Sequence, residues 1–368
     1  AAAIVAAFGA LTCAAVVAVS GMEPGLILSE LVPETDITSA YLRAEGDFFS
    51  FFPVTVATMD VDYADERVQL RILRLHAETA SLEEVVRPPP PFWLATLLSF
   101  SPGAGFPLGD QGVLPREAFY PAFRAWLRED PTGVAEAQGN FGFGPGGRAA
   151  GELAYAEWTL YAHGVQEPAA CIAFVGEMAE TCEGAVADGV GAYALGLPFY
   201  RCERYVKLRM WCLRGVAVAL GVVFGVTVLF VGTLREAAIM VATLAANLVQ
   251  LAGILAYAGM KVNGALVMAI VASIGCASEY AGHFTMAFLQ ARGSGPQRIR
   301  FAYERSFHPL LDSAVSTVLG IAMIAFAAFP FVVKYFFVPM VVLTILNFAN
   351  AVLLLPVLLR LMGAPRPA

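Results

Sequence analysis

Charged residues are scarce in this sequence: Asp, Glu, Lys and Arg make up only 14% of the 368 residues. Soluble domains usually carry about 25% charged residues, so the composition argues against a wholly soluble protein. Acidic residues outnumber basic ones, and the formal net charge is −7. Because a nucleic-acid surface needs a basic face, we expect no nucleic-acid partner.

Motifs of catalytic and cofactor sites are missing as well. The sequence contains no phosphate-binding loop, no nucleophile elbow and no zinc motif. His76 and His163 stand alone, without metal-ligand spacing. We therefore expect neither an enzyme nor a bound cofactor. An initiator methionine is also missing, and because the chain opens inside an apolar run we interpret it as a fragment of a longer protein.

Long apolar runs, in contrast, are abundant. A helix that crosses the bilayer needs ~20 apolar residues. Six segments qualify: Ala1–Ser20, Leu213–Gly232, Ala237–Gly259, Gly264–Leu289, Pro309–Phe329 and Tyr335–Leu361. They predict an α-helical membrane bundle of one plus five transmembrane helices, embedded in membrane lipids. Residues 21–212 would form a domain inserted after the first helix, and residues 213–368 the five-helix bundle and a short tail.

Basic residues in the short loops predict the orientation, since arginine and lysine favour the cytoplasmic side. One side carries Arg235, Arg292, Arg298, Arg300, Arg305, Arg360 and Arg366, and the other only Lys261 and Lys334. We therefore expect a cytoplasmic tail and an extracellular or luminal inserted domain, in the plasma membrane or an endomembrane. The basic run Arg201–Arg214 opposes this assignment, and we interpret it as an amphipathic helix at the lipid headgroups.

The inserted domain has an α+β pattern. Strands are predicted at Phe51–Met59, Leu153–Val165 and Gly191–Phe199, and helices at Asp65–His76, Glu167–Glu183 and Glu117–Leu127, the last broken at Pro121. Strand–helix–strand units of this size suit ferredoxin-like subdomains. Gly139–Gly151 is predicted to be a glycine-rich loop.

Three cysteines of this domain leave the disulfide pairing open. Cys171 and Cys182 would lie ~16 Å apart on one helix, at 1.5 Å per residue. That separation is too large for a disulfide. A Cys182–Cys202 pair remains possible, with one cysteine left over.

The fourth apolar segment contains the clearest candidate site. Gly275, Glu279 and His283 recur every four residues, so they share one helix face. A carboxylate in mid-membrane is costly, and such residues usually mark ion or proton paths. The alternative is a structural polar pair that joins helices. We favour ion or proton coupling.

Other polar residues in the spans have weaker signals. Asp312 lies one turn into the fifth span, where it either takes part in coupling or caps the helix near the headgroups. Asn247 and Gln250 are uncharged, and we expect them to form hydrogen bonds between helices.

Several segments resemble Patched-type proteins of the resistance–nodulation–division (RND) superfamily. Similar stretches are Gly25–Pro33 (GLILSELVP), Glu117–Ala137, His308–Leu319 (HPLLDSAVSTVL), Tyr335-Phe336-Phe337 and Leu353–Leu359 (LLLPVLL). By that resemblance the chain is an RND half-transporter, with spans matching helices seven to twelve. Gly275 and Glu279 match the family's GxxxE/D motif on helix ten, and His283 matches a histidine found there. Gln250 stands where some members have glutamate. Dispatched-like and Niemann–Pick type C-like proteins share this architecture.

The resemblance implies a transporter of sterol or related lipid, driven by a proton or sodium gradient through Glu279. The N-terminal half of the same full-length protein, with its sterol-sensing domain, would complete it. A receptor or sensor for a secreted ligand, like a Hedgehog receptor, is the alternative, and a purely structural half is a third.

Overall fold

The computed structural model describes residues 1–26, 31–33, 35–48, 51–136, 139–144, 152–231 and 233–362. Contacts divide the chain into two compact units. One consists of Ala1–Arg43 with Lys207–Ala368, and we call it the membrane unit; the other, Ala44–Val206, is the inserted domain. The predicted span end at Gly232, the loop positions 145–151 and Arg366 lie outside the described residues.

The elements follow in this order. They are α1 (Ala2–Ser20), α2 (Ile37–Phe48), β1 (Phe51–Met59), α3 (Glu66–Ser81), α4 (Trp93–Phe100), α5 (Arg116–Glu129), α6 (Pro131–Glu136), β2 (Phe141–Phe143), β3 (Leu153–His163), α7 (Pro168–Ala187), β4 (Gly191–Gly196), α8 (Leu197–Val206), α9 (Leu208–Val231), α10 (Leu234–Tyr257), α11 (Gly264–Gln290), α12 (Gly295–Ile321) and α13 (Pro330–Met362).

Six helical segments of the described chain are long and apolar enough to cross a membrane, which confirms the one-plus-five prediction. The chain is therefore an integral multi-pass membrane protein. The fifth span belongs to a longer helix than expected, because α12 begins at Gly295 rather than Pro309. A capping box starts it: the Ser294 backbone N–H donates to Gln297 Oε1 at 2.9 Å.

Helix α10 lies at the centre of the membrane unit, where its buried side chains contact most of the other spans. Its closest neighbour is α1. A Cβ built on Gly253 would collide with Ala15 of α1, so glycine is what allows these two backbones to approach. Helix α13 contains two π-helical segments, Val333–Phe337 and Asn350–Leu354.

The inserted domain is built on one four-stranded antiparallel sheet in the order β2-β3-β1-β4. β1 is central and pairs with both β3 and β4. Every second residue of β1 from Phe52 to Thr58, and of β3 from Ala156 to Ala162, is buried, as the strand period requires. The two predicted strand–helix–strand segments thus contribute to a single sheet rather than to separate subdomains.

Several local predictions hold, while others need correction. The helix predicted from Asp65 is present as α3, and Asp65 caps it by accepting from the Arg67 N–H at 2.8 Å. Helix α5 continues through Pro121, because a proline in the second turn removes one hydrogen bond while Phe119 and Phe123 are fully buried. The predicted strand Gly191–Phe199 ends at Gly196.

Helix α8 begins where that strand was expected to continue. Pro198 suits a first helical turn and cannot donate to a sheet ladder. Phe199 and Cys202 pack in the core of the inserted domain, and Arg201 forms a 3.6 Å ion pair with Glu45. The apolar face of α8 therefore packs on protein, which corrects the first part of the predicted headgroup helix Arg201–Arg214. For Lys207–Arg214 the position at the lipid headgroups stays a prediction.

Cys171 near the start of α7 forms the disulfide, with Cys202 of α8. Cys182 is a free, buried thiol, so the alternative Cys182–Cys202 pair is wrong. The reason is geometric: α7 presents Cys171 to α8, while Cys182 lies three turns further along the same helix.

Candidate functional site

Helix α11 positions the predicted site. Its N-terminus is fixed by Asn263, whose side chain accepts from the Leu266 N–H at 3.0 Å. From there the helical period places Gly275, Glu279 and His283 on one face, and all three are exposed. The opposite face is buried, with Ala277, Tyr280, Ala281 and Phe284 packed against neighbouring helices.

A cavity of about 440 Å³ lies beside this face, between α11 and α12. Its lining residues on α11 are Glu279, Tyr280, His283, Met286, Ala287 and Gln290, and on α12 they are Arg305, Ser306, Pro309, Leu310 and Ser313. The structure thus brings together a carboxylate, an imidazole and a guanidinium. Such a set can bind or release a proton, or hold a cation on the carboxylate.

Two hydrogen bonds join the walls of the cavity. The Tyr280 hydroxyl donates to Ser313 Oγ at 3.2 Å, and Ser306 Oγ donates to the carbonyl oxygen of His283 at 3.5 Å. Tyr280 and Ser306 are themselves buried. These two hydrogen bonds therefore fix the polar residues of α11 and α12 in position relative to each other.

Asp312 is not brought into this cavity. It is exposed on α12, and the neighbouring Ser313 takes the lining position instead. Gly275 has no described atom within 4 Å of where a Cβ would be, so no described helix approaches it.

Glu279 itself departs from the sequence-based expectation of a buried carboxylate. In the described part of the chain it is exposed, because α12 borders this face of α11 across an open cavity and does not cover it. Among the described residues there is also no group of three or more His, Cys, Asp or Glu that could hold a metal ion.

Sequence reasoning missed Arg305 and Gln290 as members of the site. Arg305 was counted only for orientation, although it lies one turn before Pro309 and its helix faces α11.

Sequence reasoning also missed Asn347 and Asn350, which lie on α13. The expected interhelical bonds of Asn247 and Gln250 are confirmed, since Asn247 Nδ2 donates to Asn347 Oδ1 at 2.7 Å and Gln250 Nε2 to Thr12 Oγ1 at 2.9 Å.

Comparison with known proteins agrees with the resemblance. The chain is 31% identical to mouse protein patched homolog 2 over 97% of its length, and 29% identical to zebrafish protein patched homolog 1 over 98%. These alignments cover 36% and 35% of the two relatives. The chain belongs to the Patched-type group of RND proteins.

A further similarity covers part of the chain. Pig NPC intracellular cholesterol transporter 1 is 29% identical over 46% of the chain and is covered over 14% of its own length. No family model matches the chain. The chain spans about a third of the length of the patched homologues it matches.

Proposed function

We propose that this chain is half of a Patched-like membrane transporter that moves sterol or a related lipid. The cavity between α11 and α12 carries the proposal, because it places a carboxylate on a polar face inside an apolar span. A similarity to an intracellular cholesterol transporter supports sterol as the lipid class.

Glu279 is the coupling residue in this proposal. It binds a proton or a sodium ion, and that event biases the helices between two arrangements. His283, one turn away, adjusts the charge of the cavity, as does Arg305 across it. Gly275 leaves room for a further helix to reach Glu279. Asp312, which is exposed on α12, takes part in ion coupling nearer the headgroups.

The N-terminal half of the full-length protein is the proposed partner. The exposed face of Gly275, Glu279 and His283 is polar, yet it belongs to a helix long enough to cross the membrane. Polar residues in a span face the bundle interior or water rather than lipid. The roughly two-thirds of each patched homologue that lies outside the alignment is long enough to supply helices that cover this face of α11.

We further propose that the inserted domain is extracellular or luminal, and that its sheet is a ferredoxin-like unit. The succession β1–α3–β2–β3–α7–β4, with the antiparallel order β2-β3-β1-β4, supports that fold. The basic loop residues around Arg292 support the orientation.

Topology is tested by cysteine labelling in the full-length protein, with the free cysteines Cys13, Cys182, Cys212 and Cys276 replaced. A cysteine at Ser294 should react with impermeant thiol reagents only from the cytoplasmic side. One at exposed Ser99 should react only from outside. Labelling of Ser294→Cys in intact cells would overturn the orientation.

Transport is tested with the full-length protein in proteoliposomes that contain cholesterol as the probe. The proposal expects sterol movement that requires a proton or sodium gradient and stops when an ionophore collapses it. A receptor or sensor would instead bind its ligand without any gradient-dependent movement of sterol. Sterol movement that is indifferent to both gradients would contradict coupling.

A further inference from the structure

A second cavity of the membrane unit, of about 280 Å³, lies between α9 and α11. Residues that recur every four positions share a helix face, and such a row from each helix forms one rim of this cavity. Eight residues of helix rise by ~12 Å, so the cavity is elongated along the two helices. We call it the α9–α11 groove, and its rims are Val222, Val226 and Phe230 on α9 and Ser278, Gly282 and Met286 on α11.

The groove is largely apolar and opens to the outside of the membrane unit. Both helices that border it belong to segments long and apolar enough to cross a membrane. The three α9 rim residues are exposed, whereas Met240 of α10 is buried and forms part of the floor. Gly282 keeps this floor open, because a Cβ built there would meet only the Met240 Cε, at 3.9 Å. No charged side chain is among the described lining residues, so the groove suits a neutral occupant.

The lining contains a buried hydroxyl that the described residues leave without a partner. Thr285 of α11 lines the groove, and its Oγ1 forms no hydrogen bond with any described residue. A threonine inside a helix often donates to the carbonyl four residues before it, as Thr243 does to Ile239 at 2.9 Å. Because a buried hydroxyl is costly without a partner, a polar group of an occupant would be favourable at Thr285. Thr227 of α9 adds a second hydroxyl to the lining.

The position of Thr285 gives the groove a polar end. Thr285 directly precedes Met286, the last rim residue of α11, and the helix ends at Gln290. At the other end of this rim, the Ser278 hydroxyl already donates to the Gly275 carbonyl at 2.7 Å. The demand for a polar partner therefore lies toward the end of the span, where lipid headgroups begin, and the apolar length of the groove extends toward the middle of the bilayer.

We propose that the α9–α11 groove binds a lipid whose single polar group is a hydroxyl, and that this lipid is a sterol. Its hydroxyl pairs with Thr285, and its rigid apolar body lies along the groove beside Gly282. A phospholipid does not fit, because its ionic headgroup meets no charged side chain in the described lining. A diacylglycerol fits less well, because its ester oxygens need further donors.

The size of the groove and its lining set it apart from the cavity beside Glu279. Ligand pockets usually measure about 300–1,000 Å³, so a sterol in this groove keeps one edge in contact with the bilayer. Of the described lining residues, Met286 alone belongs to both cavities. A transporter and a sensor can both bind sterol here, and binding needs no ion gradient. The site therefore does not rest on the proposed transport.

The test is photo-crosslinking of the full-length protein in phosphatidylcholine nanodiscs, with a diazirine analogue of cholesterol as the probe. A nanodisc sustains no ion gradient, so transport does not contribute. Mass spectrometry locates the crosslinks, and only peptides that contain residues 222–230 or 278–286 are counted. We expect crosslinks there that excess cholesterol removes. The 3α epimer of cholesterol should compete about two- to tenfold less well, which is the contribution of one hydrogen bond.

Gly282→Leu is the decisive variant, because leucine fills the groove from its floor while the new Cβ has only the Met240 Cε within 4 Å. We expect this variant to fold and to lose the crosslinks on both peptides. Gly221→Leu on α9 is the matched control and should keep them, since its Cβ meets nothing within 4 Å and it does not line the groove. If Gly282→Leu does not fold, Thr285→Val takes its place, and it should bind the two epimers equally.

Several outcomes would overturn the proposal. Crosslinks that persist in folded Gly282→Leu protein, or a Thr285→Val protein that still prefers cholesterol over its epimer, would do so. Equal competition by the two epimers in the parent protein would show that the hydroxyl is not recognised. Competition by a diacylglycerol as strong as that by cholesterol would contradict the sterol assignment. An absence of crosslinks in both peptides would mean that acyl chains of the bilayer occupy the groove.

Discussion

Glu279 and His283 lie one helical turn apart on α11, and both line the cavity that this helix forms with α12. One face of this helix thus brings a carboxylate and an imidazole to the cavity. Their neighbour across the cavity is the guanidinium of Arg305. The charge of the site therefore depends on more than Glu279, which leads to a first prediction.

His283→Ala should weaken lipid transport less than loss of the Glu279 carboxylate, and should shift the pH optimum of transport. The reason is that His283 modulates the cavity charge without carrying the coupling ion. The measurement is initial transport rate against pH for the full-length protein. His308→Ala serves as the control, since His308 is exposed on α12 outside the cavity lining. An unchanged pH profile in His283→Ala would contradict this role.

Gly253→Ala should destabilise the membrane unit, because the added methyl would collide with Ala15 of α1. Overpacking of this kind typically costs about 1–3 kcal/mol. The measurement is the unfolding temperature of the purified protein. Gly225→Ala on α9 is the matched control, since its Cβ would meet nothing within 4 Å. Ala15→Gly in the Gly253→Ala background should recover only part of the stability, because the Cα of residue 15 would still collide with the added methyl. Equal stability of Gly253→Ala and Gly225→Ala would contradict the account.

The inserted domain should lose stability as the pH falls below neutrality. Burial lowers the pKa of His76 below its ordinary value of 6.5, and the ring stacks on Phe92 with 4.1 Å between centroids. The unfolded chain then binds a proton more readily than the folded one, so stability is fully present above about pH 6.5 and declines as the pH falls through that value.

Hydrogen exchange of the α3 amides in the full chain measures this decline. His76→Phe keeps the stacking and removes the proton site, so exchange should become less dependent on pH. His163→Phe is the control, since His163 is exposed. Equal pH dependence in His76→Phe and the parent protein would assign the effect to other groups.

Removing the disulfide should destabilise the inserted domain. Cys171 and Cys202 are separated by 31 residues, and closing a loop of that size contributes about 2–4 kcal/mol. The paired change Cys171→Ser with Cys202→Ser should therefore increase protease sensitivity of Ala44–Val206. Cys182→Ala should do so far less, because Cys182 is a free thiol. A thiol count of the native protein that finds Cys171 reactive would contradict the pairing.

How far the sequence predicted this structure depends on how local each signal was. The strand Phe51–Met59 was predicted with its observed bounds, because its β-branched and aromatic composition is contained in nine residues. The strand Gly191–Phe199 was extended too far, since the helical spacing of Phe199 and Cys202 becomes visible only when both are seen in one core.

The candidate site divides in the same way. The face of Gly275, Glu279 and His283 follows from helical periodicity alone, and α11 presents it as expected. The position of Arg305 in the cavity lining depends on how α12 packs against α11, and no local sequence pattern predicts that packing. The hydrogen bonds of Asn247 were harder still to predict, because its partners Asn347 and Asn350 lie 100 and 103 residues away in the sequence. Glu279 was expected to be buried, and its exposure depends on which helices lie beside α11.

The central claim is that Glu279 couples a cation gradient to lipid movement. The most direct test measures gradient-driven lipid efflux by the full-length protein that carries Glu279→Gln. Glutamine keeps the shape of the side chain and fixes it as neutral. We predict normal insertion, efflux close to background, and no remaining dependence on the gradient. Glu304→Gln, an exposed α12 carboxylate paired with Arg300 at 2.8 Å, should transport normally. Normal gradient-driven efflux from well-expressed Glu279→Gln protein would contradict the claim and leave Glu279 without a coupling role.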